Sequence, residues 1–488
     1  MSSFTGYSPL LYELWHGRPI FLALSVVTAL ICGACMLLSM TGTQGNMPPS
    51  PAQAAYYLKD GSGKAIYLAG YPSVYLVDRP GGGGYQSVHS ALQQYGVNKY
   101  RAWPLHGWFR YSDVVAGTRQ IVYNVNSAGK ADLTSFNTRT LGDLRNAVAD
   151  AGSKGIYVEI SLFDDCSLEA DTTYRWNAHP FNARNNVNGV FNFGEGADNG
   201  SAFYNVNNPT LLYYQRLYVD KILEYTAGYD NVIYEVTNEG SSYGSGAWDK
   251  YWVDYLKSKV GNKVAINHDY TDYAAAGDGK VDMLNYHGYC VPAEWDLGSR
   301  PDYIRSRVSP YWGIKPQNYD EGPNMEDSIA SGDYKYVRRM MWGSLTNASY
   351  FEINDNEPWN TGNSAYLDGK VLSYIKALTD TVKASNFGSG KMVPDRGILA
   401  GKPGGTVYAE ALAESGKSYI IYLWGNASGG NLTVNLPAGT YDARWINPSN
   451  GQTVKRQTVT GSNAAAIAAP AFSEDIVLSI CFLNTVRH

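Results

Sequence analysis

"NVIYEVTNEG", residues 231–240, reads as a buried strand that ends on a carboxylate. Val232, Ile233, Tyr234, Val236 and Thr237 favour extended backbone. Asn238, Glu239 and Gly240 then follow where a chain would simply turn. Either an incidental turn contains a glutamate, or the strand delivers a carboxylate and an amide to its C-terminal end for chemistry. The neighbouring segments decide between the two.

Seven further stretches have the same character: "AIYLAG" (65–70), "VNKYRAW" (97–103), "GIYVEISLF" (155–163), "KVAINHDY" (263–270), "VDMLNYHGY" (281–289), "KPQNYDE" (315–321) and "ASYFEIND" (348–355). Between them lie segments with apolar residues three and four apart. These are "TRTLGDLRNAVADAGSKG" (138–155), "TLLYYQRLYVDKILEYTAGY" (210–229) and "MEDSIASGDYKYVRRMMWGSL" (325–345). Eight strands alternating with helices predict an α/β fold, a parallel sheet closed into a (β/α)8 TIM barrel over residues 56–388. A doubly wound open sheet would want a Gly-rich phosphate turn opening a helix after an early strand. "RPGGGGYQ" (79–86) reads instead as a flexible loop with no helix-opening pattern. After residue 390 short strands separated by Gly, Pro and Asn turns predict a small antiparallel β-sandwich over 391–488, a support for the barrel or a glycan-binding module.

The first residues belong to neither unit. "PIFLALSVVTALICGACMLLSM", residues 19–40, carries no charge over 22 residues, enough to cross a bilayer. Arg18 precedes it, and no Lys or Arg follows until Lys59. That asymmetry predicts a short cytoplasmic tail (1–18), a signal anchor (19–40), a Pro-rich linker (41–55) and an exported remainder, secreted if the segment is cleaved.

Composition narrows the function. Of 488 residues, 17% are charged and the net charge is −5, so no basic surface invites nucleic acid. Forty tyrosines and 12 tryptophans suit flat, amphipathic ligands such as sugar rings. Cys166, Cys290 and Cys481 fit neither a disulfide framework nor a zinc motif and read as buried thiols. Nothing calls for a metal or a cofactor, and oligomeric state leaves no trace. The long connection 164–210 contains "WNAHPFNARNNVNGVFN" (176–192), either a ligand-binding segment or a structured loop.

In a barrel the C-terminal ends of the strands carry the site. Glu239 closes the fourth strand and Glu321 the seventh, on opposite sides of the ring. Two carboxylates meeting across a cleft are the minimum equipment for glycoside hydrolysis, one protonating the leaving oxygen while the other attacks or activates water. Asp320 competes with Glu321 for the second role. Glu235 reads as a barrel-interior carboxylate needing a partner such as Arg101. Asp164, Asp269, Glu352 and Asp355 also end strands and are candidates for sugar hydroxyls. Trp103, His106 and Trp108 form either a stacking platform or core.

Asn-Glu closing strand four and Glu closing strand seven resemble the clan A retaining glycoside hydrolases, the "4/7" barrels. The resemblance implies Glu239 as acid/base, Glu321 as nucleophile, Asn238 as donor to the sugar 2-hydroxyl and Arg101 as support for the nucleophile. His287-Gly-Tyr289 is similar to the clan's H-x-Y and implies two more substrate-binding residues. "YLKDGSGKAIYLAG" is similar to the first strand of cellulase-like bacterial members. "ARWINPSNGQ" with "EDIVLSI" resembles the C-terminal sandwich of such members, a collagen-binding-type domain. The chain departs from the pattern at Gly240, where many members have proline. It departs again at "FEIND", which lacks the usual tryptophan although Trp359 follows soon after. The literal match "NEP" (356–358) is a decoy, because four more strands cannot fit between it and the sandwich. Joined to the anchor expected at 19–40, the resemblance implies a membrane-anchored, extracytoplasmic glycosidase acting on a carbohydrate, and one protonated and one ionised carboxylate predict a bell-shaped pH profile on the acidic-to-neutral side. The competing reading is a cell-surface carbohydrate-binding or adhesion protein on an inactive barrel.

Overall fold

The computed structural model describes residues 55–71, 84–106, 111–169, 175–192, 202–240, 245–288, 294–322, 331–353 and 367–483. The apolar run 19–40 with its tail and most of its linker, and Trp108, Tyr289, Cys290, Asp355 and Trp359, lie outside the described residues. Among the described residues no helix is long and apolar enough to cross a membrane.

Eight strands close into a parallel barrel: β1 (Ala69–Gly70), β2 (Lys99–Ala102), β3 (Tyr157–Asp164), β4 (Val232–Asn238), β5 (Lys263–Asn267), β6 (Met283–His287), β7 (Gln317–Asp320) and β8 (Ser349–Glu352). Each strand pairs with its neighbours in sequence, and β1 closes the ring against β8. Alternation along the strands explains why they form. Tyr100, Tyr234 and Tyr319 point outward to the helical layer, where their hydroxyls meet His89 (3.1 Å), Thr226 (2.8 Å) and the Gly298 carbonyl (2.9 Å). The alternate positions are polar, and Lys99, Arg101, Glu159, Ser161, Glu235, Asn285, Asn318, Asp320 and Glu352 bond to one another in the interior. Where a barrel of this kind usually packs branched aliphatics, this one is filled by ion pairs and amides.

The helical layer comprises α1 (Tyr85–Gln94), α2 (Thr138–Ser153), α3 (Pro209–Thr226), α4 (Gly246–Lys259), α5 (Pro301–Val308), α6 (Lys335–Thr346) and α7 (Gly369–Ala384). Their starts are written locally. Asn137 accepts from the Arg139 and Thr140 amides, Asn208 from Leu211 with Pro209 in the first turn, and Asp368 from Lys370 and Val371.

Three features differ from the sequence reading. The stretch 79–86 does open a helix: α1 begins at Tyr85, preceded by Gly84 at φ 78°, a conformation that glycine adopts without steric cost. The strict alternation fails between β5 and β6, where residues 268–282 contain only two 3₁₀ turns. A two-stranded hairpin, Tyr123–Val125 with Ala131–Phe136, is inserted before α2.

From Val393 the chain forms a six-stranded and a three-stranded antiparallel sheet around their own apolar core, which includes Ile421, Leu423, Trp445 and Leu478. This sandwich docks on α6. The Trp342 ring stacks on Tyr422 with centroids 6.2 Å apart, and the Arg338 guanidinium donates to Asp475 and Glu474. The contact ties the sandwich to α6, which lies between β7 and β8 in the chain.

Candidate active site

The C-terminal ends of β4, β6 and β7 deliver Glu239, His287 and Glu321 to one place. A carboxylate oxygen of Glu239, a ring nitrogen of His287 and a carboxylate oxygen of Glu321 all lie within 4.8 Å of one another. Each glutamate sits one residue beyond its strand in left-handed backbone, at φ 50° for Glu239 and φ 48° for Glu321. A non-glycine residue there costs on the order of 1–3 kcal/mol, so two such residues facing each other mark a site held by its surroundings. Glycine allows the close approach of the carriers: a Cβ on Gly288 would stand 2.9 Å from the Gly322 Cα. Because both residues lack a side chain, His287 and Glu321 can sit side by side.

Arg101 on β2 organises the floor. Its Nη2 donates to Glu321, Nη1 donates to the Asn238 side-chain oxygen at 2.8 Å and Nε to Glu352 at 2.7 Å. Asn238 passes the chain on, donating from Nδ2 to Asp164 at 3.1 Å. One guanidinium thus fixes the orientation of Glu321 and of the amide preceding Glu239, in the fork geometry that only arginine offers. Its cationic charge also disfavours a divalent ion at the Glu239–Glu321 gap.

His287 lies between the two glutamates. Its Nδ1 is 3.4 Å from Glu239 Oε1 and 3.5 Å from Glu321 Oε2, and its Nε2 is 3.6 Å from Asp320. The Asn267 amide is 2.6 Å from Nε2, the Tyr270 ring packs edge-on at 5.4 Å, and the His287 backbone N–H donates to Asp269. Burial alone would lower the imidazole pKa, but the charges of Glu321, Asp320 and Glu239 outweigh it and push it up to about 10. A doubly protonated ring donates from both nitrogens, so in that state Asn267 turns its Oδ1 toward Nε2. Glu239 moves the opposite way. Burial would raise it, but the hydrogen bond and charge of His287, with the Cys166 thiol donating to Oε2, hold it down at about 2. Deeper in, Asp320 is driven well above the carboxylate range chiefly by burial. Glu235 reaches about 7 through burial and Glu159, opposed by Arg101.

The other candidates are placed as follows. Trp103 is half-buried with the Arg101 guanidinium over its ring at 5.3 Å. His106 is buried, and burial, with Arg119 nearby, pushes its pKa down to about 3. Glu352 is sequestered between Lys99 and Arg101, and Asp269 is held by Arg307 and the His287 amide. In the 176–192 segment the asparagines brace their own loop. Asn182 donates to the Trp176 carbonyl, Asn185 to those of Asn177 and His179, and Asn186 to those of Pro180, Asn182 and Val190. That composition is explained by loop structure. Sequence reasoning passed over Cys166, Asn267 and Tyr270 as neighbours of the glutamates. Their only signal is position, each lying within a few residues of a barrel strand's C-terminal end. Cys166 and Cys481 are free thiols, and neither is fully buried.

No protein-family model matches the sequence, and no curated protein does. Solved structures do match the fold. A glycoside hydrolase aligns over 88% of this chain and 96% of its own at 14% identity and a TM-score of 0.61. A family 5 glycoside hydrolase from Bacteroides vulgatus aligns over 90% and 95% at 14% identity and a TM-score of 0.60. A maltogenic α-amylase from Thermotoga neapolitana aligns over 85% and 99% at 12% identity and a TM-score of 0.53. At these identities the likeness is one of fold.

Proposed function

We propose that this chain is a retaining glycoside hydrolase in which Glu321 is the nucleophile and Glu239 the acid/base. The observation that carries the reading is the meeting of two strained glutamates, from strands four and seven of a closed barrel, with carboxylate oxygens within 4.8 Å of each other. A retaining pair stands about 5–5.5 Å apart, whereas an inverting pair needs about 6.5–9.5 Å to admit a water. The glycoside hydrolases that share the fold point the same way. The uncharged run 19–40 supports an anchored, extracytoplasmic enzyme. An alkaline carbonate wash that strips the protein from membranes would overturn the anchor.

The chemistry follows from the charges. The Glu321 carboxylate, aimed by Arg101, attacks the anomeric carbon and forms a glycosyl ester as the bond to the leaving oxygen breaks. The proton held by His287 crosses the 3.4 Å contact to Glu239 and passes from it to that oxygen. Net charge is conserved: the imidazolium becomes neutral as the attacking carboxylate does. Ester formation also removes the largest of the charges holding the proton on His287, so attack and proton release are coupled. Water then attacks the anomeric carbon, the Glu321 carboxylate leaves, and the water's proton returns to the Glu239–His287 pair. In this reading Asn238, whose Nδ2 donates to Asp164, gives its second amide hydrogen to a sugar hydroxyl, and Trp103 bears on a ring.

This arrangement revises the expected pH dependence. A proton held by the imidazole survives well above neutrality, so the alkaline limb of kcat/KM lies on the basic side, toward about 10. His287→Asn is expected to draw that limb down into the acidic-to-neutral range, because Glu239 would then have to hold the proton itself. An alkaline limb unmoved by the substitution would remove His287 from the proton path. The reading as a whole is tested on a polysaccharide and aryl-glycoside panel, with the anomeric configuration of the first product read by NMR. Product of inverted configuration, or glycan bound but uncleaved, would overturn it, the second result leaving a binding module.

A further inference from the structure

Cys166 lies in the 3₁₀ turn Asp165–Leu168 that directly continues β3, the strand beside β4. Its Sγ meets Glu239 Oε2, while the other oxygen of that carboxylate, Oε1, faces His287 Nδ1. The two oxygens are therefore held by different groups on opposite sides, and rotation about the last bond of the side chain is fixed. We propose that Cys166 is a positioning residue for Glu239, whose S–H donates to Oε2 and keeps Oε1 on the proton path to His287. The inference rests on the acid/base role given to Glu239 above.

A thiol can do this only while it keeps its proton. Burial, then the Glu239 and Asp164 charges, push the Cys166 thiol well above its usual range, so it remains a donor through neutral pH. The neighbouring carboxylates thus disfavour the thiolate, the form that reacts with electrophiles. The charged and titratable groups around Glu239 are His287, Glu321 and Arg101, with Arg175 and Asp164 acting on Cys166 and Tyr270 on the far side. Of these, Cys166 and His287 donate to the carboxylate directly. Cys166→Ala removes one donor from the ionised carboxylate, so Glu239 takes up a proton at higher pH than before. Cys166→Ser supplies a hydroxyl in place of the thiol.

Two measurements on the full-length chain test this, one of them independent of turnover. First, iodoacetamide alkylation of Cys166 is followed at about pH 8 by mass spectrometry of its peptide, in wild type and Glu239→Gln. Removing the carboxylate charge is expected to speed alkylation about tenfold, as a one-unit fall in thiol pKa would do. Second, kcat/KM is compared in wild type, Cys166→Ala and Cys166→Ser on a glycoside with a poor leaving group and on an activated aryl glycoside. The expected result is a loss in the alanine variant that falls on the poor leaving group, with the serine variant returned toward wild type. Alkylation at the wild-type rate in Glu239→Gln overturns the proposal, and so does a Cys166→Ala variant whose loss is absent or equal for the two substrates. If no variant turns over any glycoside, including wild type, the glycosidase reading fails, and the alkylation rates still decide whether the thiol holds Glu239.

Discussion

Glu321→Gln is expected to abolish turnover, by at least about 10⁴-fold, in a protein that still folds. Glutamine keeps an oxygen to accept from the Arg101 Nη2 and adopts the left-handed backbone at residue 321 no less readily than glutamate. What it lacks is the carboxylate proposed as nucleophile, and the neighbouring Asp320 does not replace it, being turned into the interior toward Asn318 and His287. The Glu239→Gln loss should be smaller and should depend on the leaving group. A missing general acid costs about 10²–10⁴-fold where the departing oxygen needs a proton, and much less for an activated aryl glycoside that departs as a stable anion. Azide separates the two roles further. In Glu239→Ala it can attack the glycosyl ester and give a glycosyl azide of retained configuration, whereas in Glu321→Ala it can only replace the nucleophile, with inversion. Equal losses for good and poor leaving groups in Glu239→Gln would take the acid/base role away from that residue.

The barrel was legible because each strand combines two signals, an apolar β-branched or aromatic run and a polar residue where it ends. The order of those endings along the chain located Glu239 and Glu321, since closing the ring puts strands four and seven across from each other. The decoy at 356–358 failed for the same reason: β8, only four residues long at Ser349–Glu352, already closes against β1. What escaped were contacts that depend on long-range register. The period-2 pattern showed that one face of each strand is polar, but which acid meets which base follows from neighbours such as Arg101 opposite Glu159 and His287 opposite Asp320. Cys166 illustrates the limit. Its place after β3 was visible, yet only the pairing of Asp164 with Asn238 brings the following turn beside Glu239. The asparagines of 176–192 failed in the other direction, since side chains that could bind sugar hydroxyls bond backbone carbonyls equally well.

The second large effect belongs to the interior. Lys99→Met is expected to cost about 3–5 kcal/mol of stability, read as a lower denaturant midpoint, because it strands two carboxylates. The Lys99 Nζ is fully buried, 2.7 Å from Glu159 and 2.8 Å from Glu352, both also inaccessible to water. Methionine fills the same volume and supplies no charge. Glu352 would retain Arg101, but Glu159 would keep only the Asn285 amide, which donates at 2.7 Å and is shared with Glu235. Coupling is measurable directly: Lys99→Met with Glu159→Gln should recover part of the loss, because the amide accepts from Asn285 without needing a cation. The same pair of variants tests why the interior is polar at all. Arg101 must stay charged and aimed at Glu321, and a guanidinium can be buried there only among carboxylates. Those carboxylates in turn need a second cation, and Lys99 supplies it. On this argument Lys99 stabilises the fold chiefly by allowing Arg101 to serve the site. A single substitution at Lys99 that left stability within about 1 kcal/mol of wild type would mean that the interior acids answer its loss by taking up protons, and the charge network would then not require Lys99.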